Sequence, residues 1–201
     1  MGRFTMRLAV GMTVAAATAV AGSLSGVTAS HVHAATFFNH IKAQHSGKVL
    51  SATPVAGGAV REGNPVVQAT PRSFDLRQQW VAEGKGFAQG GTVFAYKLRQ
   101  KILSNSGAVV NGCLDAPNDQ FAQAENSNLV VRPCDGTASQ KWIRFTGEDP
   151  GSGFVRTKNS FNGKHMSILN QSKLEGANLV QSTLSIGTNS KFSVVGVDFV
   201  D

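Results

Sequence analysis

Beyond residue 34 the chain alternates short apolar runs with turn-forming residues, and few stretches hold a 3.6-residue apolar period over three turns. Short strands at regular spacing predict an all-β sandwich or barrel. Three turn dipeptides, Ser46-Gly47, Asn111-Gly112 and Asn162-Gly163, each stand before a short strand, at 48–51, 113–116 and 164–168. Gly and Asn tolerate the positive φ that tight hairpin turns demand. A second apolar strand follows each one, at 66–68, 129–132 and 179–181, starting 19, 17 and 16 residues beyond the turn glycine. Each unit then closes on an aromatic. Gln78-Gln79-Trp80 and Gln140-Lys141-Trp142 share a Gln-x-Trp pattern, and Ser190-Lys191-Phe192 holds the third place, at offsets of 33, 30 and 29. Residues 84–91 read as a loop between the first two units, followed by a strand over 93–103.

Three landmarks kept in one order three times define an internal repeat. A unit of about 45 to 50 residues cannot bury its own apolar face, so three copies, over about 37–83, 92–146 and 153–195, are expected to pack around a shared axis. Trp80, Trp142 and Phe192 are large enough to fill that core. Gln78 and Gln140 are suited to bonding backbone groups left over where strands turn.

Residues 1–34 read as a secretory leader. Arg3 and Arg7 precede 14 apolar or small residues (8–21), and Val32-His33-Ala34 or Val27-Thr28-Ala29 offers the cleavage site. Fourteen residues fall short of the roughly 20 that a spanning helix needs. There is no Arg-Arg pair and no Cys near the cleavage region, so neither twin-arginine export nor a lipid anchor is indicated. The expectation is a secreted, extracellular protein with a single mature domain at 35–201. Its two cysteines, Cys113 and Cys134, should oxidise to a disulfide in that compartment. Closing such a loop contributes about 3 kcal/mol by loop-closure entropy. A zinc site would need more ligands than these and the scattered histidines readily supply.

Charge and candidate chemistry narrow the function. Loss of Arg3 and Arg7 takes the net charge from +7 to +5, enough to favour anionic surfaces but not concentrated enough to imply nucleic acid. No nucleophile elbow is present, His40, His45 and His165 lack metal-ligand spacing, and Glu148-Asp149 precedes a Pro-Gly turn. The expectation is a binding protein without catalytic, cofactor or metal residues. In a strand over 93–103, Lys97, Arg99 and Lys101 would share one face, with Tyr96, Leu98 and Ile102 on the other. Such a face is either ordinary solvated surface or a patch for anionic glycans, cell-wall polymers or an acidic protein.

Gly112-Cys113-Leu114-Asp115, the second Cys at 134 and Gln140-Lys141-Trp142 closely resemble one repeat of the ricin-type lectin domain. The resemblance covers 37–195 and implies a β-trefoil of three repeats with pseudo-three-fold symmetry. In that family one repeat binds sugar through an Asp after the first Cys, an aromatic shortly before the second, and an Asn-Gln pair opening the closing motif. Asp115 and Gln140 match. Ser139 replaces the Asn, and Arg132 holds the place of the stacking aromatic, for which Phe121 is a substitute. Ser51 and Ser167 replace the Asp in the outer units, where no site is recognisable. The resemblance implies a lectin-like module whose partner is a glycan or cell-surface polysaccharide, neutral or anionic, with at most one weak site in the middle repeat. Its alternative is a trefoil that has lost sugar binding and meets a protein partner, as a toxin delivery subunit or hydrolase inhibitor does.

Overall fold

Each predicted strand pair is an antiparallel hairpin in the computed structural model, which describes residues 38–117, 124–145, 151–183 and 187–197. The expected leader at 1–34, Phe121 and Glu148-Asp149 lie outside those residues. The first unit contributes β1 (Asn39–Ala43), β2 (Val49–Ala52), β3 (Val60–Arg61), β4 (Val66–Ala69) and β5 (Trp80–Ala88). The second contributes β6 (Gly91–Leu98), β7 (Ile102–Leu103), β8 (Val109–Val110), β9 (Gly112–Asp115), β10 (Val130–Pro133) and β11 (Trp142–Arg144). The third has β12 (Val155–Asn159), β13 (His165–Ile168), β14 (Leu179–Ser182) and β15 (Lys191–Gly196). First and last strands of the units pair in the cycle β1-β5-β6-β11-β12-β15-β1, a closed six-stranded barrel. The hairpins β2–β4, β9–β10 and β13–β14 cap one end. This is the β-trefoil.

Register makes the repeat explicit. Leu50 pairs with Gln68, Leu114 with Val131 and Met166 with Gln181, so Ser51, Asp115 and Ser167 hold equivalent places. The Trp80 indole donates to the Leu50 carbonyl and that of Trp142 to the Leu114 carbonyl, both at 3.1 Å. Phe192 takes the third position without a donor. All three rings are buried among Leu50, Leu98, Leu114, Met166 and Leu179. The indole bonds thus satisfy a polar atom inside the apolar core.

Three expectations are corrected. Asn111-Gly112 is not a hairpin turn: Gly112 lies within β9, where a Cβ would meet Ile102 Cγ2 and Val131 Cγ1 at 2.6 Å. Its lack of a side chain permits close packing, whereas Gly47 and Gly163 do turn the chain at φ 69° and 73°. Residues 84–91 are not a free loop, because β5 runs to Ala88 and pairs with β6 up to Gly91. The strand expected over 93–103 is broken after Leu98, so Lys97, Arg99 and Lys101 do not form one strand face. Lys97 instead meets Glu83 at 3.4 Å, Arg99 bonds the Gln79 side chain and covers the Phe38 ring at 4.2 Å, and Lys101 bonds Asn111.

A carboxylate joins neighbouring units. Gly63, Asn126 and Gly176 donate their N–H groups to Val131, Gln181 and Gln68, which makes Glu62, Glu125 and Glu175 equivalent. Glu175 accepts from the Thr70 N–H and hydroxyl at 2.9 Å and meets Lys48 at 2.9 Å. Glu125 accepts from the Thr183 N–H and hydroxyl and from the Ser182 hydroxyl at 2.6 Å, with Lys164 at 3.8 Å. In the middle unit the capped position is Pro133, which has no N–H, and Glu62 accepts from the Asn105 N–H instead.

These bonds hold both carboxyls below the usual carboxylate range. For Glu175 the Thr70 amide and Lys48 lower it. For Glu125 desolvation pushes upward, but the bonds from Ser182 and Thr183 together outweigh it. A depressed folded-state value stabilises above the unfolded value, here 4.5, and that stability is lost as pH falls through the folded one. Glu125→Gln with Glu175→Gln is therefore expected to flatten the fall in Tm between pH 5 and pH 3, measured by thermal melts. A variant that loses Tm as steeply as the parent would show that these carboxylates do not tie the units.

Candidate functional site

The polar residues matched in the middle unit turn inward. Asp115 closes β9 and is 2% exposed. Its Oδ2 accepts from Gln140 Nε2 at 3.0 Å and from the Ser139 hydroxyl at 3.4 Å. Its Oδ1 is buried, with no hydrogen-bond partner among the described residues. Gln140 Nε2 also donates to the Pro133 carbonyl at 2.8 Å, while its Oε1 accepts from the N–H groups of Asp135 and Gly136. The whole amide is thus used inside the protein. Burial raises the Asp115 pKa, opposed by the Gln140 bond and the nearby Arg132 charge. Arg132, on β10, pairs across the ladder with Cys113. The Cys113–Cys134 disulfide is formed, which fits an oxidising compartment, and closes this hairpin beside the Asp115–Gln140 pair.

Beside that pair lies a small cleft of about 200 Å³. The disulfide, Gln140, Glu83, Lys85 and Lys97 line it, but Asp115 does not. Sequence pattern places Asp115 and Gln140 together correctly. What it misses is their direction: they bond each other rather than facing a common opening.

The third unit carries a larger cleft, about 420 Å³, which the sequence reading did not anticipate. Ser167 replaces the Asp, yet its hydroxyl accepts from Asn189 Nδ2 at 2.7 Å and from the Ser190 hydroxyl at 3.2 Å. Asn189 Nδ2 also donates to the Ile168 carbonyl. Asn170 and Gln171, at φ 54° and 52°, both lie in the left-handed region and line the cleft from the side of the turn after β13. Two successive non-glycine residues there cost about 1–3 kcal/mol each and persist only where the surroundings over-determine them. Gly187 lines the same cleft; a Cβ there would meet Asn189 Oδ1. Ser182 and Asn126 complete the polar lining, and Ile168 supplies an apolar wall. No charged side chain is among the described lining residues.

The equivalent place in the first unit is a smaller cleft, about 180 Å³, beside Ser51 and lined by a charged pair. Asp75 caps the Leu76–Gln78 turn through the Arg77 N–H and holds the Arg77 guanidinium at 2.8 and 2.6 Å. Gln78 bonds the Arg72 N–H and the Thr70 carbonyl, as Gln140 does its own backbone neighbours. Among the described residues, no group of three or more His, Cys, Asp or Glu could hold a metal ion. No described helix is long and apolar enough to cross a membrane.

No protein-family model matches the sequence, and no curated protein matches it significantly. Solved structures do match. A designed three-fold symmetric protein, ThreeFoil, is 25% identical with a TM-score of 0.60, over 79% of this chain and 97% of that one. An exo-β-1,3-galactanase from Clostridium thermocellum is 23% identical with a TM-score of 0.60, over 81% of this chain and 31% of the enzyme. The C-half of an earthworm R-type lectin, in complex with GalNAc, is 18% identical with a TM-score of 0.51, over 80% of this chain and 98% of that one. The likeness supports the trefoil fold.

The Asp115 arrangement makes a prediction with a definite sign. A carboxyl whose folded pKa is raised favours the protonated folded state, and its contribution is lost as pH rises through that raised value. Asp115→Asn, which keeps an acceptor for Gln140, should leave Tm at pH 7 equal to or above that of the parent. Gln140→Ala strands several buried groups, each costing roughly 1–3 kcal/mol, and should lower it clearly. A large loss of Tm in Asp115→Asn would show that the ionised carboxylate is required by the fold.

Proposed function

We propose that this protein is a secreted, non-catalytic glycan-binding module whose sugar site is the neutral cleft of the third unit. The observation that carries this reading is the lining itself: the side chains of Asn170, Gln171 and Asn189 beside Ser167, Ser182 and Asn126, with Ile168 as the one apolar wall among the described residues. Asn189 spends its Nδ2 on Ser167 and the Ile168 carbonyl and offers its Oδ1 as an acceptor. The amides of Asn170 and Gln171 supply both donors and acceptors for the hydroxyls of a neutral sugar, without burying a charge. The strained Asn170–Gln171 turn holds two of those amides at the opening, which lowers the ordering cost of binding. The earthworm lectin bound to GalNAc, matched through the same fold, supports a neutral or N-acetylated hexose as the substrate class. No aromatic platform lines the described part of the cleft, so one monosaccharide should bind in the millimolar range, about −4 kcal/mol. The disulfide and the leader-like first 34 residues support export.

A protein-docking role is the second reading. It draws on Phe74 and Leu76, which are 76% and 42% exposed beside Arg72 in a shallow first-unit depression. Glycan-array screening followed by calorimetric titration separates the two. Asn189→Ala or Gln171→Ala should weaken binding of a neutral glycan about fivefold or more, the worth of one hydrogen bond. Asp115→Asn should leave it unchanged. Absence of any glycan binding, or loss confined to Asp115→Asn, would remove the third-unit reading.

A further inference from the structure

The β5–β6 ribbon ends in a feature that neither the fold nor the glycan cleft uses. Its tip is a two-residue turn, Gln89-Gly90, with both residues at positive φ (50° and 79°), closed by the Ala88–Gly91 pair. That backbone twist suits a tight hairpin. One pair further back stand Phe87 and Thr92. Phe87 is 87% exposed, more than any other large apolar residue described. An isolated exposed hydrophobic residue is ordinary, so position and surroundings must carry the argument.

The position is fixed. At the base of the tip, Gly91 sits so close to β11 that a Cβ would lie 2.5 Å from the Arg144 carbonyl oxygen. β6 is pinned there, and Phe87 is presented by an anchored ribbon rather than a loose loop.

The surroundings are cationic. Lys85 and Lys97 share the single carboxylate of Glu83, at 3.0 and 3.4 Å. Arg144, across the ladder from Thr92, lies over the Phe94 ring at 5.6 Å. Lys158 reaches Gln89 at the tip, at 3.5 Å. Among the described residues, four cations thus stand at the base of the ribbon against the one carboxylate of Glu83.

From this juxtaposition, an aromatic at the apex of an anchored convex turn with a cationic collar behind it, we infer that the β5–β6 tip docks on anionic lipid surfaces. A convex apex offers no pocket to an incoming side chain. A bilayer interface yields to it, taking an apolar group about 5–10 Å below the headgroups. The collar then lies at headgroup level, where anionic lipids attract Lys and Arg within a Debye length. One aromatic and a few cations give reversible, peripheral attachment, independent of the third-unit cleft.

The test uses protein recovered from culture medium, its N-terminus sequenced to establish that the apolar leader is gone. Co-sedimentation with phosphatidylcholine vesicles is compared with vesicles that also contain phosphatidylglycerol. The parent should bind the anionic vesicles selectively, and raised salt should release it. Phe87→Ala should melt as the parent does, since the ring is exposed, yet bind roughly tenfold less or weaker. Phe87→Trp should retain binding, with blue-shifted emission on adding anionic vesicles. Equal binding by Phe87→Ala and parent would overturn the inference, as would no binding to anionic vesicles at all. Heparin binding that Phe87→Ala leaves intact, without vesicle binding, would also overturn it and assign the collar to an anionic polymer.

Discussion

The trefoil depends on backbone amides that no single unit can pair by itself. Val66 donates its N–H to the Leu129 carbonyl, and Leu129 donates its own to that of Leu179, so main chain joins the three hairpins near the axis. The bridges Pro65–Val130, Val67–Asn178 and Asn128–Val180 repeat the joint from unit to unit. A buried amide left unpaired costs free energy comparable to a lost hydrogen bond, so one unit alone would be penalised at each of these atoms. Burial of Trp80, Trp142 and Phe192 beneath the hairpins adds the apolar share, and the Glu125 and Glu175 carboxylates clamp the joints from outside.

Once that frame is set, each unit offers the same place for chemistry, between its hairpin and its closing turn. The side chains put there decide what becomes of it. Asp115 and Gln140 are long enough to reach each other and fill the space in the middle unit. Arg77 and Asp75 narrow it to a smaller, charged cleft in the first. Ser167 is too short to fill the third, and Asn189 reaches across to it while the Asn170–Gln171 turn lines the opening. A shortened side chain, read from sequence as a lost ligand, is in space what keeps the cleft open.

The hairpins and buried aromatics were legible because alternating apolar positions and Gln-x-Trp report local geometry directly. Asn111-Gly112 misled because a glycine needed for close packing has the same letter as one needed for positive φ. A better landmark was present: Glu62, Glu125 and Glu175 each stand four residues before Val66, Leu129 and Leu179. An exposed Glu in a polar turn carries no apolar period, so it does not register as structural. The third-unit cleft was illegible for another reason. Its amides come from a left-handed turn and a 3₁₀ turn separated by some twenty residues, and only the fold brings them together.

On the proposed reading the middle-unit polar pair serves the fold while the third-unit amides face a ligand. Side-chain amide resonances report both groups in one NMR titration with a neutral oligosaccharide taken from array hits. The Gln171 and Asn189 signals are expected to shift with ligand concentration while the Gln140 signal stays still. Movement of Gln140 with Gln171 and Asn189 unchanged would contradict it and return the site to the middle unit.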